Sequence, residues 1–487
     1  MEIQAAFVPA GLAAHGPLPR GPLPQGALRG EATMMTAGAA EPTGRSGLAF
    51  AGLAAASLLA AKVTQGRRRR MRPVGMKQGT QSFKGVVSPE DLGWTEAELS
   101  VDGVREQLQD ALKKGGLEGK ALKVGNYWPT KKEVFAAIPD DCFKKETGKS
   151  LMYAAISVAQ IAACVYAGSF IPFTAAAWPM WVAYACVTGT FMTGAWVIAH
   201  ECGHDAFCNE KWLQTAVGYV LHSAMLAPYF SWQRSHAVHH AKTNHISDGE
   251  THVPKIGVKP RIWEKMAKFM SMPVVAFLRV AVRLGLGWPA YLIFGASGGP
   301  AYGKPTSHFL PYAVGAKKDL FPGKWKAKVW QSDIGCVVVC AGLWKLAQVI
   351  PGGWAGVMAI YGGPLCVANA WLVLYTWLQH TDVDIPHYDT GDWNFAKGCF
   401  STVDRPYGPV FDWIHHRIGS THVAHHVNCT IPHYKAQKAT DALKKAFPDL
   451  YLYDPTPVPL ALWRVVANCF RVKKVPGPEG MHVFALN

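Results

Sequence analysis

The sequence predicts an all-α integral membrane protein: two transmembrane helical hairpins, four spans in all, with a helical cap facing the cytosol or stroma and carrying a histidine-rich metal site. Three observations predict it. Residues 151 to 200 contain no Asp, Glu, Lys or Arg; residues 334 to 380 contain only Lys345; and histidines gather in clusters beside these two tracts. Each tract can hold two spans of about 20 residues.

The break in the first tract falls at "IPFTAAAWPM", where Pro172 and Pro179 frame a short turn. In the second it falls at "PGGW", with Pro351, Gly352 and Gly353. Each break folds its tract back on itself, so each hairpin starts and ends on the same side of the membrane. Lys131, Lys132, Lys144, Lys145 and Lys149 precede the first hairpin, and many more lysines and arginines lie between Lys242 and Lys328. Positive charge marks the cytosolic or stromal side. The net charge of +16 therefore reflects membrane orientation and attraction to anionic lipid or an acidic partner, and does not call for nucleic acid. Lys345 snorkels to an interface. The 11 cysteines show no CxxC spacing and read as free thiols.

Two domains are expected. Residues 1 to 87 carry 11 Lys and Arg against Glu2, Glu31 and Glu41, and are rich in Pro, Gly and Ala. The run "GLAFAGLAAASLLAA" ends before "RRRR" at 67 to 70, the reverse of a secretory signal's charge order. This is a disordered basic leader of the organelle-import kind, with a disordered cytosolic tail as the alternative. Residues 88 to 487 form the membrane domain, opening near Ser88 and Asp91, either of which can cap a helix.

The chemistry lies in three boxes. "HECGH" supplies His200 and His204, "SHAVHH" supplies His236, His239 and His240, and "THVAHH" supplies His422, His425 and His426. On a helix, residues three and four apart share a face, so each box presents its imidazoles together. The tract 212 to 230 dips into the membrane face without crossing, which leaves all boxes on one side. Taken alone, HECGH also fits a zinc protease with Glu201 as the base. Yet eight nitrogen ligands exceed what one catalytic zinc takes, so two metals are implied. Imidazole suits zinc, copper, iron and nickel alike. A donor set with few carboxylates favours redox chemistry with oxygen, and iron.

An HxxxH box and two HxxHH boxes around two hydrophobic hairpins resemble the membrane fatty acid desaturases, over about residues 88 to 475. "HECGHDAF", "HHAKTNHISDGETHVP", "LGWPAYL", "LQHT", "STVDRPYG" and "THVAHHVNCTIPHYKA" are similar to the methyl-end, Δ12 and ω3, branch. His422 opens the third box where front-end enzymes have Gln, and Glu201 and Ala237 stand where acyl-CoA Δ9 enzymes have Arg. Asp205 departs from the His of many Δ12 members, which bears on regioselectivity. The resemblance implies iron ligation by His200, His204, His236, His239, His240, His422, His425 and His426, with His380 as a ninth ligand. It implies a di-iron centre, O₂ as co-substrate, a lipid-linked unsaturated acyl chain as substrate, and cytochrome b5 or ferredoxin as electron donor. The expected product carries a new cis double bond, of Δ12 type. Glu201, Asp205 and Asp248 are expected to orient histidine N–H groups. An ω3 desaturase, a desaturase-derived hydroxylase, the zinc protease and a metal or lipid transporter are the alternatives. The leader suggests a plastid membrane, with the endoplasmic reticulum as the other location.

Overall fold

The computed structural model describes residues 128–257, 262–383, 385–474 and 480–484. The leader at 1 to 87 and the expected start of ordered sequence at Ser88 lie outside these residues. The principal helices are α1 (Thr147–Gly168), α2 (Trp178–Gly203), α3 (Lys211–Ala224), α4 (Tyr229–Ala241), α5 (Met272–Phe294), α6 (Trp325–Ala347), α7 (Gly363–His380), α8 (His422–Val427), α9 (His433–Ala446) and α10 (Val458–Asn468). A small antiparallel sheet of β1 (His387–Tyr388), β2 (Val472–Lys474) and β3 (Met481–Phe484), in the order β1-β3-β2, adds to the helical plan.

Helices α1 and α2 pack together as the first hairpin, turning between Pro172 and Pro179, where Pro179 occupies the first turn of α2. That position costs no hydrogen bond, because the first amides of a helix have no partner within it. The second turn falls at Gly352 and Gly353, both at positive φ (76° and 57°) that side chains with a Cβ disfavour. Four helical stretches among the described residues are long and apolar enough to cross a membrane: Thr147–Gly168, Ala175–Gly203, Met272–Phe294 and Trp354–His380. The protein is a multi-pass membrane protein.

Three of these stretches fall on limbs read from the sequence. The limb expected from residue 334 onward is helical within α6, whose first half also carries Lys326, Lys328 and Asp333. The additional long apolar helix is α5, masked in the sequence by Arg279 and Arg283. Both arginines are accommodated inside the protein. Arg279 donates to the carbonyls of Val466 and Cys469, each at 2.5 Å, and the Arg283 guanidinium lies 4.4 Å from the Trp377 ring centre.

Exposed Tyr166, Phe170, Trp178, Val337 and Val338 on the hairpins face outward as lipid-contacting side chains would. The interior is organised around α2 and α7, which pack closely along their length. Gly189 permits this approach: a Cβ there would sit 2.4 Å from the Pro364 carbonyl oxygen. Helix α3 is 14 residues long, packs on α2 and α6, and exposes Trp212 and Val220. It is too short to cross, as read from the sequence.

Candidate metal centre

Every box stands at a helix end. His200 occupies the last turn of α2, and His204 is the residue that caps it. Asp205 follows with φ 59°, a left-handed turn that stops the helix and carries the chain away. His236, His239 and His240 end α4, His380 is the last residue of α7, and α8 supplies His422, His425 and His426. Helix ends on one face of a bundle can converge where side chains in mid-span could not.

The rings form two adjacent groups. In the first, one nitrogen from each of His200, His204, His236, His240 and His425 lies within 4.8 Å of all the others. Here His200 Nε2 is 3.0 Å from His236 Nε2 and 3.3 Å from His204 Nε2, and His240 Nε2 is 3.2 Å from His236 Nε2. In the second, His239, His380 and His426 meet the same criterion. His239 Nε2 and His422 Nε2 lie 3.2 and 3.0 Å from His380 Nε2. The groups abut where His240 stacks on His426 with ring centres 4.2 Å apart.

These spacings suit metal coordination. Two nitrogens each about 2.1 Å from one ion, at angles somewhat above 90°, stand roughly 3.0 to 3.4 Å apart. The buried Nε2 atoms of His425 and His426 have no hydrogen-bond partner among the described residues. Nδ1 of His426 is paired with Thr243 Oγ1 at 3.0 Å, leaving Nε2 as the free donor atom. Burial lowers the pKa of His204, His236, His240, His422 and His426 well below the ordinary histidine value, and that of His239 and His425 to about 3. Neutral imidazoles keep a lone pair for a metal at neutral pH. Two all-imidazole groups fit two first-row transition-metal ions.

Of the three candidate carboxylates, Glu201 orients a histidine, though one outside the boxes. Glu201 accepts from the backbone N–H and Nδ1 of His433, both at 2.6 Å. Asp205 pairs with Lys211 at 2.5 Å and accepts from Gln214. Asp248 pairs with Lys318 at 2.6 Å, and its backbone N–H donates to His245 Nδ1 at 3.1 Å. None of these bonds reaches a box histidine side chain.

Other histidines near the boxes, His245, His387, His415, His416 and His433, are buried as well. His252 stacks on His380, with ring centres 5.2 Å apart and planes at 12°. It sits at φ 55°, and its buried Nδ1 has no partner. Nothing in its spacing announces this, because the chain reaches it through a loop rather than a helix repeat.

A cavity of about 340 Å³ opens beside the centre. His236 and His239 line it together with Trp196, Trp232, Trp288 and Trp377, and Lys255, Arg279 and Arg283 are also in its wall. An aromatic cleft running to paired metal sites suits an unactivated hydrocarbon chain. A helical membrane protein with such a centre belongs to the class of membrane oxidoreductases that act on lipid chains.

Comparison with known proteins narrows the class. Residues 176–456 match the family model described as fatty acid desaturase. The chain is 39% identical over 361 residues to a Delta(12)-acyl-lipid-desaturase of Punica granatum, covering 73% of this chain and 89% of that protein. It is 40% identical over 352 residues to a Delta(12)-fatty-acid desaturase of Arabidopsis thaliana, covering 71% and 87%. To an omega-6 fatty acid desaturase, endoplasmic reticulum, of Brassica juncea it is 37% identical over 385 residues, covering 78% and 94%. The chain belongs to the membrane fatty acid desaturase family, and its substrate is a lipid acyl chain.

Proposed function

We propose that this enzyme is a Δ12-type acyl-lipid desaturase that places a cis double bond in an unsaturated acyl chain, using O₂, two electrons and two irons. The observation that carries this reading is the pair of abutting imidazole groups, one histidine of each, His236 and His239, lining the tryptophan-rich cavity. The Delta(12) names of the Punica and Arabidopsis relatives support the Δ12 position. His200, His204, His236, His240 and His425 would hold one iron, and His239, His380, His422 and His426 the other. When bound, the irons supply oxidising power that no side chain has, enough to remove hydrogen from adjacent unactivated carbons.

The chain's own residues do the rest. The tryptophan-lined wall holds the acyl chain and excludes water, while Thr243 fixes the tautomer of His426. Lysines between Lys242 and Lys328 offer an acidic electron carrier, cytochrome b5 or ferredoxin, a basic face. Residues 1 to 87 act as a leader to a plastid membrane; the endoplasmic reticulum is the alternative, supported by the name of the Brassica relative. A reporter fused to residues 1 to 87 decides between them, since a diffuse or reticular signal rejects import.

Expression in yeast, followed by analysis of fatty acid methyl esters, tests the activity. A new Δ12 double bond is expected; a hydroxylated product or a bond at the ω3 position would reassign the chemistry within the family. Purified protein should hold about two irons per chain, whereas a single zinc, together with a completely inactive Glu201→Gln variant, would favour hydrolysis at HECGH.

A further inference from the structure

On the side of the five-histidine group that His200 and His425 share lies a second, much smaller cavity of about 20 Å³. Its walls include His200, Glu201, His416, His425 and His433. A cavity of roughly 10 to 15 Å³ or more holds one water, provided the water finds two to four polar partners. Three buried ring nitrogens from these walls lack a partner among the described residues: His200 Nδ1, His416 Nδ1 and His433 Nε2.

The remaining nitrogens of these rings limit what each orphan can do. His200 Nε2 faces His204 and His236, so its Nδ1 carries the proton and is a donor. His433 Nδ1 pairs with Glu201 Oε2 at 2.6 Å, so Nε2 is the nitrogen left to face the cavity. His416 Nε2 pairs with Ser157 Oγ at 3.1 Å, so its Nδ1 accepts where the ring donates to the hydroxyl and donates where the hydroxyl donates to the ring. A water can accept two hydrogen bonds and donate two, so it meets the His200 N–H and serves the other two nitrogens in either arrangement.

The backbone is bent to bring His416 there. His416 and Arg417 both adopt left-handed conformations, φ 52° and 60°, each unfavourable for a residue with a Cβ. Gly194 of α2 makes room, because a Cβ at that position would lie 2.3 Å from the Ile414 carbonyl oxygen and 3.7 Å from His416 Nε2.

We propose that this cavity is a binding site for one structural water, held by His416 and His433, which accepts the Nδ1 proton of His200 and links that ring to Glu201. The inference rests on His200 being a metal ligand, as in the function proposed above. A ligating histidine needs a partner on its other nitrogen, and losing such a partner weakens metal binding by about 10- to 100-fold. His416 is accordingly a positioning residue.

The test uses the full-length enzyme purified with its iron, comparing His416→Phe and His416→Asn for iron retained during dialysis against a chelator. Phe removes the ring nitrogen and fills the cavity; Asn tolerates the left-handed backbone and keeps a polar group beside the water. His416→Phe should lose iron about 10- to 100-fold faster, and His416→Asn should stay close to wild type. A high-resolution map of the wild type should show density within hydrogen-bond distance of all three nitrogens. Unchanged iron loss in His416→Phe, equal loss in both variants, or no shared density would overturn the water site. A wild type that holds no metal would instead overturn the ligand assignment beneath it.

Discussion

Glu201 and His433, 232 residues apart in sequence, are joined by two hydrogen bonds of 2.6 Å, one from the His433 backbone N–H and one from its ring Nδ1. The carboxylate of the first histidine box thereby ties the end of α2 to the start of α9, just beyond the third box. It is a clamp between α2, which carries His200, and α9, which follows the helix that carries His425. A zinc protease would need Glu201 to take a proton from metal-bound water. A desaturase needs only the clamp. Glutamine keeps one acceptor oxygen, so Glu201→Gln should retain its metal and lose about 10- to 100-fold of desaturation or less. Complete loss of product with both metals still present would argue that the carboxylate takes part in the chemistry.

The division into two imidazole groups makes a separable prediction. Alanine at His425 removes a ligand from the five-membered group, and alanine at His239 or His380 removes one from the other. Each variant should reach the membrane, yield no detectable double bond, and hold less iron than the wild type. Near-wild-type product from His239→Ala or His425→Ala would sink the two-site assignment. For His380 alone, normal iron content would mean that His422, 3.0 Å away, completes its group without it.

The metal groups were legible because helix periodicity acts over three and four residues, and each box fits inside one turn. The first hairpin was legible because its 50 residues carry no charge. Helix α5 was not, since a charge count penalises Arg279 and Arg283 equally whether they meet lipid or protein. Only the fold shows the Val466 and Cys469 carbonyls that accept from Arg279. The partnership of Glu201 with His433 was hidden for the same reason: it depends on how α9 returns to α2, which no local spacing encodes.

Close behind His380, the fold buries four charges. Arg405 and Arg464 both bridge Asp382 and Asp454, with Arg405 2.6 Å from Asp382 Oδ2 and Arg464 2.6 Å from Asp454 Oδ2. All four side chains are almost completely buried. Removing one member leaves a charge without compensation, so Arg464→Met should cost about 3–5 kcal/mol. The half-exposed Arg417, 3.6 Å from Asp412, sets the scale, and Arg417→Met should cost about 1 kcal/mol or less. Thermal midpoints of the two variants in detergent check the contrast, and similar midpoints would show that the quartet contributes little.

Glu250 gives the enzyme a pH dependence outside its metal centre. It is buried, both its oxygens accept from the Tyr291 hydroxyl at 2.9 and 3.0 Å, and burial raises its pKa from 4.5 to about 8. The sign follows from proton binding. Between pH 4.5 and about 8 the folded protein keeps this proton while the unfolded chain releases it, so stability falls as pH rises through that window. Above about pH 8 both states are ionised and this contribution levels off. Glutamine stays neutral, fills nearly the same volume and still offers Tyr291 an acceptor oxygen. Glu250→Gln should therefore flatten the thermal-midpoint profile between pH 5 and 8, and its advantage over the wild type should be largest at the alkaline end. Thermal unfolding of both proteins across that range, with iron content matched, measures the difference; parallel profiles would mean that Glu250 is ionised in the folded enzyme and that a cation or a relaxed, wetter surrounding compensates its charge.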